Sequence, residues 1–242
     1  MKFSIIVPVY NERATVSILL EQVLGVSLPG IEKEIIIVEG GSTDGTRQLV
    51  QFFESRPGVH VIYEDKPGGK GAAVRKGLER VTGDIVLIQD GDLEYSVVDY
   101  PKLINPIVEG NYDVMLGSRV LFSPQQWQFR RFVGLERIYG FFVNFGGVFF
   151  TTLFNLLYGT RLSDGATMFK VFHAKYLKGI NLKSNGFDYD WEICAKLVKR
   201  RCRFGEAPVS YRARSRAEGK KIRFWRDGWR VFMAILRYRF VE

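Results

Sequence analysis

Cysteine and histidine are scarce in this chain, with two of each among 242 residues. Cys194 and Cys202 lie eight apart in a basic stretch, a spacing that suits neither a disulfide framework nor a zinc site. A reducing compartment is therefore expected. His60 and His173 stand alone, so no Cys/His metal cluster is expected. There is no G-x-S-x-G elbow and no serine–histidine pair with a reason to meet. No GxGxxG follows the first expected strand, and the spacing of a P-loop is not met, so a dinucleotide cofactor is unsupported. Met1-Lys2-Phe3-Ser4 runs directly into a strand without a signal-peptide layout. No repeat, low-complexity tract or Pro/Gly/Ser linker divides the chain, whose length suits one large α/β domain or a domain with an appendage.

Apolar residues make up 46% of the sequence, enough for a real core. The net charge of +9 is uneven. The N-terminal half is nearly balanced, while basic residues dominate between Lys196 and Arg239. Such a block implies an anionic partner: a nucleotide, a lipid phosphate, a membrane surface or a nucleic acid.

The first half alternates as βαβ units. Strands are expected at Phe3–Pro8, Glu34–Val38, Val59–Tyr63, Asp84–Gln89 and Tyr112–Leu116. Helices are expected at Ala14–Leu24, Asp44–Glu54, Gly69–Arg80 and Val97–Val108. Beyond these come a strand at Ala166–Phe172 and a helix at Asp188–Arg200. From Ile138 to Tyr158 the chain is uncharged and rich in phenylalanine, about long enough to cross a bilayer. Asn144, Thr151, Thr152, Asn155 and three glycines interrupt it. Membrane-dipping helices, a buried helical pair and a true span all remain open there. The last stretch, Ile222–Phe240, mixes Phe224, Trp225, Trp229, Phe232 and Ile235 with five arginines. It reads either as a helix lying on an anionic membrane or as one packing its apolar stripe on the domain.

Asp90-Gly91-Asp92 stands where the apolar run Ile85–Ile88 stops. In a parallel sheet this is the edge at which ligands bind. Two carboxylates beside a glycine suit a hard cation that shares its coordination with substrate phosphates. The loops after the first two strands, Pro8-Val9-Tyr10-Asn11-Glu12 and Glu39 through Thr46, reach the same edge. Tyr10 with Glu12 and Glu39 could hold a base and ribose there. Pro67-Gly68-Gly69-Lys70-Gly71 opens a helix and could greet a diphosphate. Each loop also has a plainer explanation as a turn or helix cap.

Taken in order, Pro8–Glu12, Gly41–Thr46, Gly69–Ala73, Asp90–Glu94 and Gly117-Ser118-Arg119 resemble the motifs of family 2 glycosyltransferases. The chain looks like their dolichol-phosphate mannose synthase-like branch, most strongly over residues 3–120. The resemblance implies a GT-A, Rossmann-like α/β fold: a mostly parallel sheet flanked by helices. The glycosyltransferase domain would span 1–215, with a Phe-rich helical insert at 130–160. Residues 216–242 would add a basic amphipathic helix to the same unit. The resemblance also implies a nucleotide pocket at Pro8, Tyr10, Glu12 and Glu39, and a Mn2+ or Mg2+ site at Asp90 and Asp92. Glu94 stands where the branch usually has glutamine, and Arg119 would face phosphate. Looser matches are Asp164 before Met168-Phe169-Lys170, Phe187 through Glu192, and the basic segment Arg214 through Lys221. Glu39-Gly40 replaces the family's usual pair of aspartates, which leaves the donor base open.

The activity so implied is metal-assisted, inverting transfer from a nucleoside-diphosphate sugar, with GDP-mannose or a UDP-hexose as donor, to a polyprenyl phosphate. Asp92 and Arg119 would serve the chemistry, helped by Lys70. Arg130, Arg131, Arg214 and Lys221 would position the acceptor. A phosphate acceptor needs no base, whereas a sugar hydroxyl would need one, with Asp164 the first candidate and Glu192 the second. Some relatives carry two transmembrane helices after the catalytic domain. With none in this sequence, peripheral contact with the cytoplasmic face of an anionic membrane is expected from the Phe-rich stretch and the last helix. Sugar-phosphate nucleotidyltransfer is a weaker rival, lacking the glycine-arginine loop it usually has. A membrane- or nucleic-acid-binding module would explain the charge but leave three acidic loops without purpose, so nucleic acid is not an expected partner.

Overall fold

The structure, a computed structural model, describes residues 1–121, 136–214 and 224–241, without the side chains of 136–139 and 224. Strands β1 (Lys2–Val9), β2 (Glu32–Glu39), β3 (Val59–Tyr63), β4 (Ile85–Ile88), β5 (Val114–Ser118), β6 (Lys170–His173) and β7 (Phe204–Pro208) form one sheet. Its order is β3-β2-β1-β4-β6-β5-β7. β6 pairs antiparallel with both β4 and β5, and the other pairs are parallel. The reversal has a consequence for the cleft. The start of β6 lies at the edge where β1, β2 and β4 end.

Successive strand residues serve opposite faces. Ile5, Val7, Ile35, Ile37 and Leu87 pack under α1 (Val16–Gly25), α2 (Thr46–Gln51) and α4 (Tyr100–Val108). Ile6, Ile36, Val38, Val86 and Ile88 pack under α3 (Lys70–Leu78), α5 (Glu136–Tyr158), α6 (Tyr189–Lys199) and α7 (Phe224–Phe240). Both faces of the sheet are therefore covered, which is why its strands read as unbroken apolar runs.

Several boundaries differ from the expected ones. Helix α2 is five residues shorter: Gly45, at a φ of 96°, stands before its first residue, Asp44 Oδ1 accepts from Thr46 N at 3.0 Å, and tight turns follow Gln51. β6 begins four residues late, because Thr167 bends the chain and its hydroxyl accepts from Phe169 N at 3.2 Å. β7 was not expected. Its sequence, Phe-Gly-Glu-Ala-Pro, carries two residues that usually disfavour strands. Gly205 is there because Met115 and the Tyr112 ring occupy the space its side chain would fill.

The Phe-rich stretch is one helix, α5, which removes the buried-pair alternative. Asn144, Thr151, Phe154 and Tyr158 are buried, while Phe141, Phe142, Phe145, Phe149 and Leu156 are exposed. Gly140–Tyr158 is long and apolar enough to cross a membrane by length and composition. Helix α7 packs against α5 and α6. Tyr158 Oη donates to Ile235 O at 2.9 Å, and Ser184 and Tyr238 hydroxyls meet at 3.2 Å. Its opposite face leaves Trp225 at 86% and Trp229 at 65% exposed.

Candidate active site

The ends of β1, β2, β3 and β4 open onto one cleft of about 1570 Å³. Pro8, Tyr10, Glu12, Lys70, Asp90, Asp92, Glu94, Arg119 and Arg214 all line it. The two acids of Asp90-Gly91-Asp92 thus share one space with Tyr10, as the sequence pattern requires. Phe145, Phe149, Trp225, Trp229 and Phe232 continue the same cleft as an aromatic wall.

The acids are met by cations of the chain itself. Lys70, the first residue of α3, hydrogen-bonds Asp90. Arg214 Nη2 donates to Asp92 Oδ2 at 2.6 Å, and its Nη1 donates to Glu12 Oε2 at 2.8 Å. Glu94 accepts from Arg214 N at 2.8 Å and from the Tyr211 hydroxyl at 2.8 Å. Burial, then the charges of Asp90 and Glu94, push the Asp92 carboxyl up to about 7, against the pull of Arg214. A carboxylate so crowded by like charge gains from a further cation.

The residues present fit a divalent ion of the Mn2+ or Mg2+ kind. Two hard carboxylates face one polar space, and Lys70 and Arg214 now supply the positive charge there. Among the described residues no three His, Cys, Asp or Glu side chains form a ready metal cage. The remaining coordination would fall to substrate phosphate and water, a common arrangement for magnesium.

Three residues expected at the site have their side chains bonded elsewhere. Glu39 is fully buried and does not line the cleft. It is the last residue of β2, so its side chain is directed to a sheet face rather than over the edge. There Ser42 N donates to Oε1 at 2.7 Å and Arg47 Nε to Oε2 at 2.6 Å. Asp164 is likewise removed from the cleft, clamped by Arg119. Nε and Nη2 each donate to it at 2.7 Å, and the Arg119 backbone N–H adds a third bond at 3.1 Å. Burial would raise its carboxyl, but the Arg119 charge and bonds hold it below the ordinary range. Both oxygens of Asp164 thus accept from Arg119. Glu192 is committed too, accepting from Lys183 N at 2.8 Å and Ser184 N at 2.7 Å.

Arg119 lines the cleft. Its guanidinium lies 5.1 Å from the Tyr211 ring centroid, at the cleft wall. Arg130, Arg131 and Lys221 lie outside the described residues. The glycines around Lys70 have a packing reason as well. A side chain on Gly69 would strike Asn185 O, and one on Gly71 would strike Ser184 O.

Two cleft acids were not named by the sequence reading, although Asp190 lies within the matched segment Phe187 through Glu192. Asp190, at the start of α6, is 2% exposed, and its Oδ1 accepts from the buried Lys170 at 3.1 Å. Its Oδ2 has no hydrogen-bond partner among the described residues. Burial pushes this carboxyl up, against the charges of Lys170 and Lys70. Glu64 follows β3 directly. The rule that picked out the ends of β1, β2 and β4 applies equally to β3 and would have found it.

Comparison with known proteins agrees with this geometry. The family model described as glycosyl transferase family 2 matches residues 4–179. The chain is 28% identical to a dolichol-phosphate mannosyltransferase of Pyrococcus furiosus, over 91% of this chain and 59% of that protein. It is 26% identical to a dodecaprenyl-phosphate galacturonate synthase of Rhizobium johnstonii, over 91% and 62%. The chain thus spans about three fifths of the length of these relatives. Among solved structures, glucosyl-3-phosphoglycerate synthase from Mycobacterium tuberculosis, in complex with Mn2+, uridine diphosphate and phosphoglyceric acid, superposes with a TM-score of 0.71. That match has 17% identity and covers all of this chain and 79% of that one. With its acidic strand ends gathered on one cleft and the family model matching most of its length, the chain belongs to glycosyl transferase family 2 and is a glycosyltransferase.

Proposed function

We propose that the cleft transfers a sugar from a nucleoside-diphosphate sugar to a polyprenyl phosphate, with Mn2+ or Mg2+ at Asp90 and Asp92. One observation carries this reading. The charged floor beneath Asp90, Asp92, Lys70 and Arg119 passes without a break into the aromatic wall of α5 and α7. A soluble acceptor has no use for such a wall, whereas an isoprenoid chain needs one beside its phosphate. The two relatives named for dolichol-phosphate and dodecaprenyl-phosphate support the same acceptor class.

The chain's own residues divide the work. Tyr10, Pro8 and Glu12 border the nucleoside end of the cleft, and Lys70 faces the diphosphate. Arg119, held rigid by Asp164, offers a planar donor to phosphate. A divalent ion bound at the two aspartates would offset charge building on the departing diphosphate. The acceptor phosphate is already an anion near neutral pH, so positioning replaces proton removal. The full engagement of Asp164 and Glu192 agrees with that. Arg214, which bridges Glu12 and Asp92, is placed to turn toward phosphate.

Exposed Phe141, Phe142, Trp225 and Trp229, with Arg226, Arg230 and Arg237 nearby in sequence, suit the surface of an anionic membrane. On this reading the protein is peripheral, on the cytoplasmic face. The test offers labelled nucleotide sugars with either polyprenyl phosphate in anionic vesicles or soluble glycans. Label is expected in the lipid fraction. Label only in glycan would refute the lipid acceptor and point to Asp190, the cleft carboxylate with an open oxygen, as the base.

A further inference from the structure

Glu64 is a cleft carboxylate with no part in the chemistry above. It is 4% exposed yet lines the cleft with Tyr10 and Gly40. Its position is fixed by the backbone on both sides. Its N–H donates to Glu39 O at 2.8 Å, and its carbonyl accepts from Arg47 Nη2 at 2.5 Å. Lys76 Nζ holds Oε1 at 2.6 Å from outside the cleft.

Two glycines flank the carboxylate. A Cβ on Gly40 would stand 3.6 Å from Oε2, and one on Gly68 would stand 3.5 Å from Oε1. Neither glycine has the left-handed φ that would require it. Alanine would displace Val9 O or Ala72 Cβ by only a few tenths of an ångström. With no side chain on either glycine, the space beside the two oxygens stays open to a flat group, while Lys76 holds Oε1 from its other side.

The sheet order sets the distance to the phosphate end. Glu64 and Asp90 follow β3 and β4, which are separated by β2 and β1. Three strand spacings place the two ends about 14 Å apart. That is comparable with an extended nucleoside diphosphate, its phosphates at Asp90 and Asp92 and its base at Glu64.

We infer that Glu64 reads the base of the donor nucleotide and selects guanine. The inference rests on the proposal that the donor is a nucleoside-diphosphate sugar. An ionised carboxylate only accepts hydrogen bonds, through two adjacent oxygens. Guanine presents two adjacent donors, N1–H and the 2-amino group. Uracil presents one N–H between two carbonyl oxygens, which a carboxylate repels. Adenine and cytosine each place a ring acceptor beside their amino group. Discrimination of this kind is strong because the mismatched base leaves buried polar atoms unpaired.

The test is calorimetric binding of GDP and UDP, each with Mn2+, to the parent protein and to Glu64→Gln. The parent is expected to bind GDP at least about tenfold more tightly. Glu64→Gln keeps the shape but replaces one acceptor by a donor, which matches the N3–H and O4 of uracil. It is expected to weaken GDP by about ten- to a hundredfold and to strengthen UDP. The ratio of the two affinities within one variant is insensitive to any partial unfolding. A parent that prefers UDP, or a variant that weakens both nucleotides equally, overturns the role of Glu64. Binding of neither nucleotide overturns the nucleotide-donor proposal itself.

Discussion

Replacing Asp164 separates a structural carboxylate from a catalytic one. The pair it forms with Arg119 is 3% exposed on both sides and carries three hydrogen bonds. Removing one partner strands a guanidinium away from water, which in buried pairs costs about 3–5 kcal/mol. For a chain of this length each kcal/mol lowers Tm by roughly 2–4 °C, so Asp164→Ala is expected to lose about 6–20 °C. Asp164→Asn, which keeps an acceptor, falls at the lower end. The double variant Arg119→Met, Asp164→Leu strands no charge and is expected to recover much of the loss, giving a coupling of about 2 kcal/mol or more. Thermal and urea unfolding measure all of these. The sign with pH is fixed. The Asp164 carboxyl is held below its ordinary value in the folded protein. Its contribution is therefore present above the unfolded carboxylate range and is lost as pH falls through the folded value. The gap between parent and Asp164→Asn is expected to close in acid. If Asp164→Asn unfolds within 2 °C or so of the parent and loses only the acidic limb of its rate profile, Asp164 is a base and the structural account fails.

Three further outcomes follow from the same contacts. Asp92→Asn removes half of the carboxylate pair and is expected to slow sugar transfer by at least about a hundredfold, with a raised Mn2+ requirement in initial-rate titrations. An unchanged metal requirement would exclude Asp92 from the metal site. Glu34 is buried against Lys2, Ser4 and Thr82, whose bonds outweigh its burial and lower its carboxyl to about 2. It is expected to contribute about 3 kcal/mol at neutral pH, fading between pH 4.5 and 2, so parent and Glu34→Gln should differ less in urea at pH 3 than at pH 7. Gly71→Ala drives a methyl into Ser184 O and to 2.8 Å from Tyr189 Cβ. A cost of about 1–3 kcal/mol is expected, with nucleotide affinity unchanged below Tm; a loss of affinity without a loss of stability would make Gly71 a phosphate contact.

The sheet and its working edge were legible because both rest on local pattern. Apolar runs such as Ile85–Ile88 mark buried strands, and the acids after them mark the edge. The direction of a side chain at that edge was not legible. Glu39 and Gly40 are neighbours, but the strand ends between them, so one serves a sheet face and the other the cleft. The setting of Asp164 was hidden for another reason. Its motif position says nothing of Arg119, 45 residues earlier, which neutralises it. β7 escaped because its five residues owe their extension to pairing with β5, not to their own preferences. Of the aromatic segments, the Phe-rich stretch was read as helical without settling between one helix and several, and only packing showed which of its phenylalanines stay in the open.

Arg214 reaches back 202 residues to Glu12 and 122 to Asp92. Contacts of such sequence separation are among the last a chain can close. During synthesis the first four strands emerge long before the cation that answers their acids. For that interval Lys70 answers Asp90, but Glu12, Asp92 and Glu94 repel one another without the arginine that later bridges them. The competent catalyst is thus completed late in synthesis, and a chain released early would hold the sheet's first strands while lacking the clasp that balances its centre.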